Sequence, residues 1–360
     1  MGDLYDTKLY NDDICSVATL PYPWEHLKNR SILITGASGM VGSFLIDVIM
    51  YRNMNFGDNC CIIAVSRNNE NMKLRFRKYL GHNTLMFFQK DINKTINELF
   101  ESVDYVFHAA SNTHPVAYAS DPIGTIATNI IGLSNLLEFA LDHNTNRFIF
   151  ASTVEVYGEN RGDVEKFSED YCGYINCNTM RAGYPESKRA GEALCQAYIK
   201  QKGLDVVIPR LSRIYGPTML SSDTKAISQF IKRGVQGKNI VLKSKGSQLY
   251  SYSYVADAVS GVLAVLFYGQ CGEAYNIADE KSDITLKDLS ELIANISGTN
   301  VVFELPEKTE SEGYSNATKA ILEATKLKKL GWKSQYDISE GIRRTISILS
   351  NSKTIYRRLS

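Results

Sequence analysis

Three evenly spaced glycines near the start of the chain constrain the fold more than any other feature. Gly36, Gly39 and Gly42 follow a short apolar segment, 31–35, and precede the apolar-periodic stretch 43–50. This order of strand, glycine turn and helix is the context in which a dinucleotide-binding turn occurs. The helix N-terminus would face the phosphates of the dinucleotide, because its unpaired N–H groups and its dipole favour anions. A glycine turn that binds no nucleotide is the alternative interpretation.

The pattern of strands and helices extends this unit into an α/β fold. Apolar, β-rich segments alternate with helical patterns, which predicts a Rossmann-like doubly wound parallel sheet with a smaller C-terminal substrate-binding lobe. The expected strands are 31–35, 60–65, 84–90, 104–109, 147–152 and 204–210. The expected divisions are an N-terminal extension (1–28), a dinucleotide-binding Rossmann domain (29–210), a mainly substrate-binding lobe (211–350) in which 251–278 returns to the Rossmann domain, and a tail (351–360).

A tyrosine and a lysine four residues apart give the most specific indication of chemistry. Tyr184 and Lys188 lie in a helical pattern, so both side chains project from one face, one turn apart. An ammonium group beside a phenol favours the phenolate, and we expect it to lower the tyrosine pKa from about 10 towards neutrality. Such a tyrosine can take a proton from an alcohol while hydride leaves the same carbon. A half-buried tyrosine beside an exposed lysine is the structural alternative.

A third element follows a predicted buried strand. The segment 147–153 ends at Thr153, and Glu155 comes two residues later. Ligands bind beyond the carboxyl ends of strands in an open parallel sheet. The Thr153 hydroxyl could therefore hydrogen-bond the substrate oxygen that Tyr184 deprotonates.

Together these segments resemble the extended short-chain dehydrogenase/reductases of the NAD-dependent epimerase/dehydratase family, which modify nucleotide-diphosphate sugars. The resemblance covers about residues 29–347. It includes the glycine turn and the runs Asp91-Ile92, 108–111, 128–132, 210–217 and 254–257. Within the family the likeness is greatest to UDP-glucuronate decarboxylases, over 121–129, 151–158, 169–176 and 181–189.

The resemblance implies an enzyme that oxidises a sugar transiently at C4, with Thr153, Tyr184 and Lys188 as the catalytic triad and Glu155 as an acid or base near the sugar ring. It implies a cofactor-binding set: Gly36, Ser38, Gly39, Met40, Val41, Gly42, Ser66, Arg67, Asp91, Ile92, Ala109, Ala110, Ser111, Asn129 and Lys188. It also implies a substrate-binding set: Asn112, Arg181, Glu186, Arg213 and Tyr250. The implied partners are tightly bound NAD or NADP, a UDP-sugar and a second copy of the chain, paired through helices 123–142 and 184–202.

The end of the second predicted strand bears on the choice of dinucleotide. NAD-preferring proteins place an acid there to bond the ribose hydroxyls, whereas this chain has Ser66 and Arg67. An arginine beside a hydroxyl suits a 2′-phosphate, so we expect NADP. An ordinary surface arginine is the competing interpretation.

Two departures from the family pattern concern a single charge. Tyr250 stands where the family usually has an arginine, and Arg213 stands where it usually has an asparagine. A tyrosine cannot supply the charge that binds a diphosphate or carboxylate, whereas an arginine fork can. We hypothesise that Arg213 carries the anion-binding charge that position 250 lacks.

The same residues are also compatible with other functions. A 4,6-dehydratase or a 4-epimerase would use the same first oxidation. A net NADP-dependent dehydrogenase or reductase of a nucleotide-linked sugar or polyol fits the Ser66-Arg67 pair. A non-catalytic nucleotide-binding regulator is the remaining class.

Composition restricts the function classes further. A net charge of +1 gives no reason to expect nucleic acid or an anionic membrane as a partner. The seven cysteines are an odd number without a Cys-x-x-Cys pair, so we expect neither a disulfide framework nor a metal site. The first residues lack a basic stretch followed by an apolar core, so we expect the cytoplasm.

Overall fold

A computed structural model describes residues 3–96, 102–113, 115–304 and 317–352. The first two residues of the expected N-terminal extension and positions 353–360 of the expected tail lie outside the described residues.

The described strands and helices alternate along most of the chain. The strands are β1 (Ser31–Thr35), β2 (Cys61–Ser66), β3 (Leu85–Gln89), β4 (Tyr105–His108), β5 (Arg147–Phe150), β6 (Ser152–Thr153), β7 (Val206–Leu211), β8 (Arg213–Tyr215), β9 (Ile240–Leu242), β10 (Leu249–Tyr254), β11 (Ala274–Ile277), β12 (Asp283–Thr285), β13 (Val301–Phe303) and β14 (Lys319–Ala320). The helices are α1 (Lys8–Ala18), α2 (Met40–Phe56), α3 (Asn69–Arg75), α4 (Pro115–Ser120), α5 (Pro122–Ala127), α6 (Leu133–Asp142), α7 (Gly183–Lys202), α8 (Ala226–Val235), α9 (Val255–Tyr268), α10 (Leu286–Ser297), α11 (Thr325–Lys329) and α12 (Ile338–Asn351).

The core is a parallel sheet in the order β3-β2-β1-β4-β5-β7-β11, with β6 also paired to β7. Its strands are rich in β-branched and aromatic residues that are buried on both faces, which is typical of an all-parallel sheet. The strand order reverses between β1 and β4, and ligands bind at such a switch point. The predicted doubly wound fold is confirmed, and the six expected strands lie within two residues of their predicted ends.

Helices cover both faces of this sheet. The apolar sides of α2 and α9 pack on one face, and those of α6 and α7 pack on the other. Residues 122–142 are long and apolar enough to cross a bilayer by length and composition alone, and 44% of their apolar window is buried inside the fold. A one-turn π-helical segment, Thr128–Gly132, joins α5 to α6.

The residues before β1 pack on the Rossmann unit. Helix α1 contacts α2 and α9. Asp47 of α2 is fully buried, and it accepts hydrogen bonds from the hydroxyls of Tyr5 (2.7 Å) and Tyr10 and from Arg75 (2.5 Å). This buried charge is therefore paired and hydrogen-bonded, as such a group must be.

The C-terminal lobe contains two small sheets. β10 pairs with β8, β12 and β14, and β9 pairs with β13. Within the segment 251–278, β11 joins the core sheet beside β7, whereas β10 stays in the lobe. Strands β8 and β10 thus lie next to the carboxyl ends of the core strands, where the cavity described below is formed.

Candidate active site

A large cavity lies between the carboxyl ends of the core strands and the C-terminal lobe. Its volume is about 690 Å³, a usual size for a ligand site. Cationic side chains outnumber carboxylates in its lining, with Arg67, Lys90, Arg181, Lys188, Arg213, Lys225 and Lys243 against Asp91, Glu155 and Asp223. Such an excess of positive charge favours anionic ligands.

The glycine turn forms one wall of the cavity by close backbone approach. Gly36 has φ of +68°, and a Cβ there would lie 2.8 Å from the carbonyl carbon of Ala109. A Cβ on Gly42 would lie 2.5 Å from the carbonyl oxygen of Gly36, so this glycine lets α2 pack on the turn itself. Gly39 is the N-cap of α2. The turn therefore presents backbone N–H groups at a helix N-terminus, an arrangement that fits a pyrophosphate.

The ends of β2, β3 and β4 provide the rest of the predicted dinucleotide site. Ser38, Met40, Val41, Ser66, Arg67, Asp91, Ile92, Ala109, Ala110 and Ser111 all line the cavity, as predicted. Arg67 is exposed at its edge. Thr35 fixes the end of β4, because its Oγ1 accepts hydrogen bonds from the N–H groups of Ala109 and Ala110, each at 3.2 Å. These residues fit a dinucleotide along the carboxyl edge of the sheet.

The three predicted catalytic residues come together at the floor of the cavity. Thr153 ends β6, and Thr153 and Tyr184 of α7 line the cavity side by side. Lys188 lies one turn further along α7, is buried, and donates to the carbonyl oxygen of Ala151 at 2.8 Å. The close packing of α7 on the sheet depends on Gly191, whose Cβ would lie 2.7 Å from the ring of Phe150.

One expectation about this group differs in the structure. Burial raises the pKa of Tyr184 above its usual value, and the hydrogen bond with Thr153 opposes the rise only in part. Burial also lowers the pKa of Lys188 to about 8. The predicted lowering of the Tyr184 pKa by Lys188 is therefore not seen, because desolvation of the phenol dominates and the ammonium group is directed at a backbone carbonyl. A positive charge at the nicotinamide position would favour the phenolate.

Beside the triad, a carboxylate lies between two arginines. Glu155 accepts a hydrogen bond from Arg181 at 2.6 Å, and Arg213 approaches its other oxygen at 4.0 Å. The guanidinium of Arg213 lies over the ring of Tyr250, 3.5 Å from the centroid. The Tyr250 hydroxyl donates to the carbonyl oxygen of Ala317 at 2.7 Å. Arg213 and Tyr250, the two departures from the family pattern, thus contact each other. Both line the cavity together with Glu155 and Arg181.

Two predicted site residues lie away from the described cavity lining. Glu186 pairs with Arg189 at 3.6 Å, and its side chain is 38% exposed, because the helical turn directs it away from the side that carries Tyr184. Asn129 is buried and donates to the hydroxyl of Ser187 at 2.9 Å, so it braces α7 from the π-helical segment instead of lining the cofactor site. Asn112, by contrast, lines the cavity, and its amide donates to Thr125 at 2.9 Å.

The structure also brings in residues that were not among the predicted site residues. The ring of Tyr118 on α4 stacks on Tyr184, with centroids 4.9 Å apart, and Arg181 lies over Tyr118 at 4.6 Å. Asp223 and Lys225 pair at 2.5 Å in the connection before α8 and also line the cavity. No periodicity identifies Tyr118, since it lies in a short helix that packs beside α7 only in the folded chain. Among the residues that the structure describes, no cluster of three His, Cys, Asp or Glu side chains could hold a metal ion.

The sequence of this chain matches the NAD dependent epimerase/dehydratase family over residues 32–278. The chain belongs to this family. The resemblance inferred from the motifs is thereby confirmed, and the matched residues include the glycine turn, the three predicted catalytic residues and β11.

Two curated relatives and one solved structure align with most of this chain. UDP-glucuronic acid decarboxylase 1 of Xenopus tropicalis is 31% identical over 317 residues, which are 88% of this chain and 71% of that protein. UDP-glucuronic acid decarboxylase 6 of Arabidopsis thaliana is 30% identical over 90% of this chain and 91% of its own length. A dTDP-glucose 4,6-dehydratase from Streptomyces venezuelae, solved with NAD, superposes with a TM-score of 0.78 at 24% identity, over 92% of this chain and 100% of that one.

Proposed function

We propose that this chain is an NAD(P)-dependent enzyme that modifies a nucleotide-diphosphate sugar by transient oxidation at C4, and that it acts as a UDP-glucuronate decarboxylase. The observation that carries the proposal is the meeting of Thr153, Tyr184 and Lys188 beside the glycine turn in one cationic cavity. The similarity to decarboxylases at about 30% identity over most of the chain supports the choice within the family.

Each residue has a distinct task in this proposal. Tyr184 accepts the proton of the C4 hydroxyl and later returns it, and Thr153 holds that oxygen through its own hydroxyl. Lys188, one helical turn from Tyr184, would hold the ribose of the cofactor through its ammonium group. A bound nicotinamide supplies reversible hydride acceptance, so no second substrate reoxidises it. In the second step the C5–C6 bond breaks, carbon dioxide leaves, and the C4 ketone accepts the electron pair. Glu155 then supplies the proton that C5 takes up.

The test is product analysis of the purified chain. The chain is incubated separately with UDP-glucuronate, UDP-glucose, UDP-N-acetylglucosamine and GDP-mannose. The masses of the products are measured by mass spectrometry. Loss of carbon dioxide from UDP-glucuronate is the expected result. Loss of water, an altered configuration without a mass change, or a net change of two hydrogens would each assign the chain to a different reaction of the family.

For the dinucleotide we propose NADP. Arg67 is exposed at the edge of the cavity, Ser66 lies beside it, and Lys90 adds a second cation to the same lining. The mass of the dinucleotide that copurifies with the protein tests this proposal. A large preference for NAD, unaffected by Arg67→Ala, would contradict it.

We also propose that the chain forms a homodimer through α5, α6 and α7. Ile123 and Ile126 on α5 are 81% and 43% exposed, and Ile131 in the π-helical segment is 51% exposed. Apolar side chains clustered on one face favour contact with a second copy. The molar mass from light scattering should equal two chains and fall to one for Ile123→Asp. A wild-type mass of one chain would contradict the proposal.

A further inference from the structure

Arg213 has an unusual environment for a cation. It starts β8, its side chain is only 17% exposed, and it lines the cavity. One of its terminal nitrogens, Nη1, is buried and has no hydrogen-bond partner among the described residues. A buried donor without a partner is costly, so such a group indicates a ligand that completes it.

The neighbouring charges leave Arg213 without full compensation. Glu155 is the carboxylate between Arg181 and Arg213, and its short contact, 2.6 Å, is with Arg181. Its distance to Arg213 is 4.0 Å, beyond hydrogen-bond range. Two guanidinium groups therefore share one carboxylate, which leaves one positive charge in a partly buried setting that favours a second anion.

Tyr250 holds this cation in place without neutralising it. The guanidinium carbon lies over the ring, 3.5 Å from its centroid, a cation–π contact. The phenol is anchored by its hydrogen bond to Ala317. The ring therefore holds the guanidinium group while Nη1 remains for a ligand.

The position of Arg213 indicates which anion binds there. Arg213 is next to Glu155, whose backbone N–H donates to the Thr153 hydroxyl at 3.3 Å. Tyr184 lines the same cavity as these residues. The cation is thus at the reacting end of the site, one carboxylate away from the triad. In a hexuronate, the carbon next to C4 bears a carboxylate. We propose that Arg213 binds the C5 carboxylate of a nucleotide-diphosphate hexuronate and selects acidic sugars over neutral ones, an inference that rests on the proposed function.

The experiment compares three ligands, UDP-glucuronate, UDP-glucose and UDP, by calorimetry on the wild type and Arg213→Asn. Because a charged hydrogen-bonding partner is lost in Arg213→Asn, the affinity for UDP-glucuronate should fall by roughly 10- to 100-fold. Affinities for UDP-glucose and UDP should stay within about threefold. The matched control is Arg161→Asn, since Arg161 also lies over a tyrosine ring, Tyr174 at 3.8 Å, and beside a glutamate, but is 60% exposed. This control should leave all three affinities unchanged.

A rescue variant separates a binding role from damage to the fold. Tyr250 lies on β10, which pairs with β8, so Arg213→Asn with Tyr250→Arg returns a guanidinium from the adjacent strand and should recover part of the lost UDP-glucuronate affinity. An equal loss of affinity for all three ligands in Arg213→Asn would mean that Arg213 binds the diphosphate. Unchanged affinities would mean that it binds neither the diphosphate nor the carboxylate. Either result overturns the inference and leaves the proposed function intact. Failure of the wild type to bind any nucleotide sugar would overturn both.

Discussion

Tyr184 is the residue on which the proposed chemistry depends, and its surroundings oppose ionisation of the phenol. Burial raises its pKa and lowers that of Lys188. In the folded chain the phenol is therefore neutral, and the lysine ammonium loses its proton more readily than usual. The sequence predicted the two residues and their shared helix face. The predicted lowering of the tyrosine pKa was wrong, because desolvation depends on the packing of α4 and the core strands around the pair.

The buried lysine gives a pH dependence with a definite sign. Because burial lowers the pKa of Lys188 to about 8, its ammonium form declines as pH rises through that value. If Lys188 donates to the dinucleotide, affinity for the cofactor should fall above about pH 8, and Lys188→Met should remove this fall. The measurement is a fluorescence titration of the dinucleotide at several pH values.

The control for this titration is the free energy of unfolding over the same pH range. A depressed lysine pKa means that the unfolded chain binds more protons between about pH 8 and the ordinary lysine pKa, so this group makes the free energy of unfolding rise with pH in that window. Weaker cofactor binding there would therefore not reflect unfolding by this group. An affinity that does not change across pH 8 in the wild type would contradict the role given to Lys188.

At the same scale, Gly36 and Gly57 form a matched pair of glycines. Both have positive φ, +68° and +66°, but only Gly36 faces another backbone, at Ala109. Each change to alanine should cost about 1–3 kcal/mol of strain, while only Gly36→Ala should also disrupt the cofactor wall and weaken dinucleotide binding by roughly tenfold or more. Equilibrium dialysis checks this, and equal affinities of the two variants would show that close approach at Gly36 has no role in binding.

Among the elements, the parallel strands and the glycine turn were predictable because they are local patterns. The motif-based predictions located most of the candidate site: nearly all the named residues line the cavity. Glu186 and Asn129 do not, because the direction of a side chain on a helix depends on its packing. Tyr118 was missed for the same reason, since its stack on Tyr184 joins residues far apart in the chain.

The N-terminal extension shows how a buried charge holds one element to another. Asp47 connects Tyr5 and Tyr10, before and within α1, with Arg75 at the end of α3. Asp47→Ala leaves Arg75 unpaired in a buried setting and should lower the free energy of unfolding by about 3–5 kcal/mol. Urea denaturation measures this.

The control for Asp47 lies on the same helix as Arg75. Glu70 pairs with Lys73 at 3.1 Å, and its side chain is 82% exposed. Its change to alanine should cost less than about 1 kcal/mol, as exposed pairs do. Similar losses for Asp47→Ala and Glu70→Ala would mean that the buried network does not stabilise the extension.

For the whole molecule, the arrangement of the two parts determines the site. The core sheet carries the triad and the glycine turn, and the lobe brings Arg213 and Tyr250 against Glu155. The sequence predicted both parts and the paired substitution at 213 and 250. That the guanidinium lies against the ring could not be predicted, because it depends on the pairing of β8 with β10.

The central claim is that Tyr184 exchanges a proton with the C4 hydroxyl while hydride passes to a bound nicotinamide. The most direct measurement is stopped-flow absorbance of the reduced nicotinamide band after mixing with UDP-glucuronate. The wild type, and Tyr198→Phe at the far end of the same helix, should show a transient rise and a return to the baseline. Tyr184→Phe should bind the sugar, show no rise, and turn over about 10²–10⁴-fold more slowly; full turnover by that variant would contradict the account.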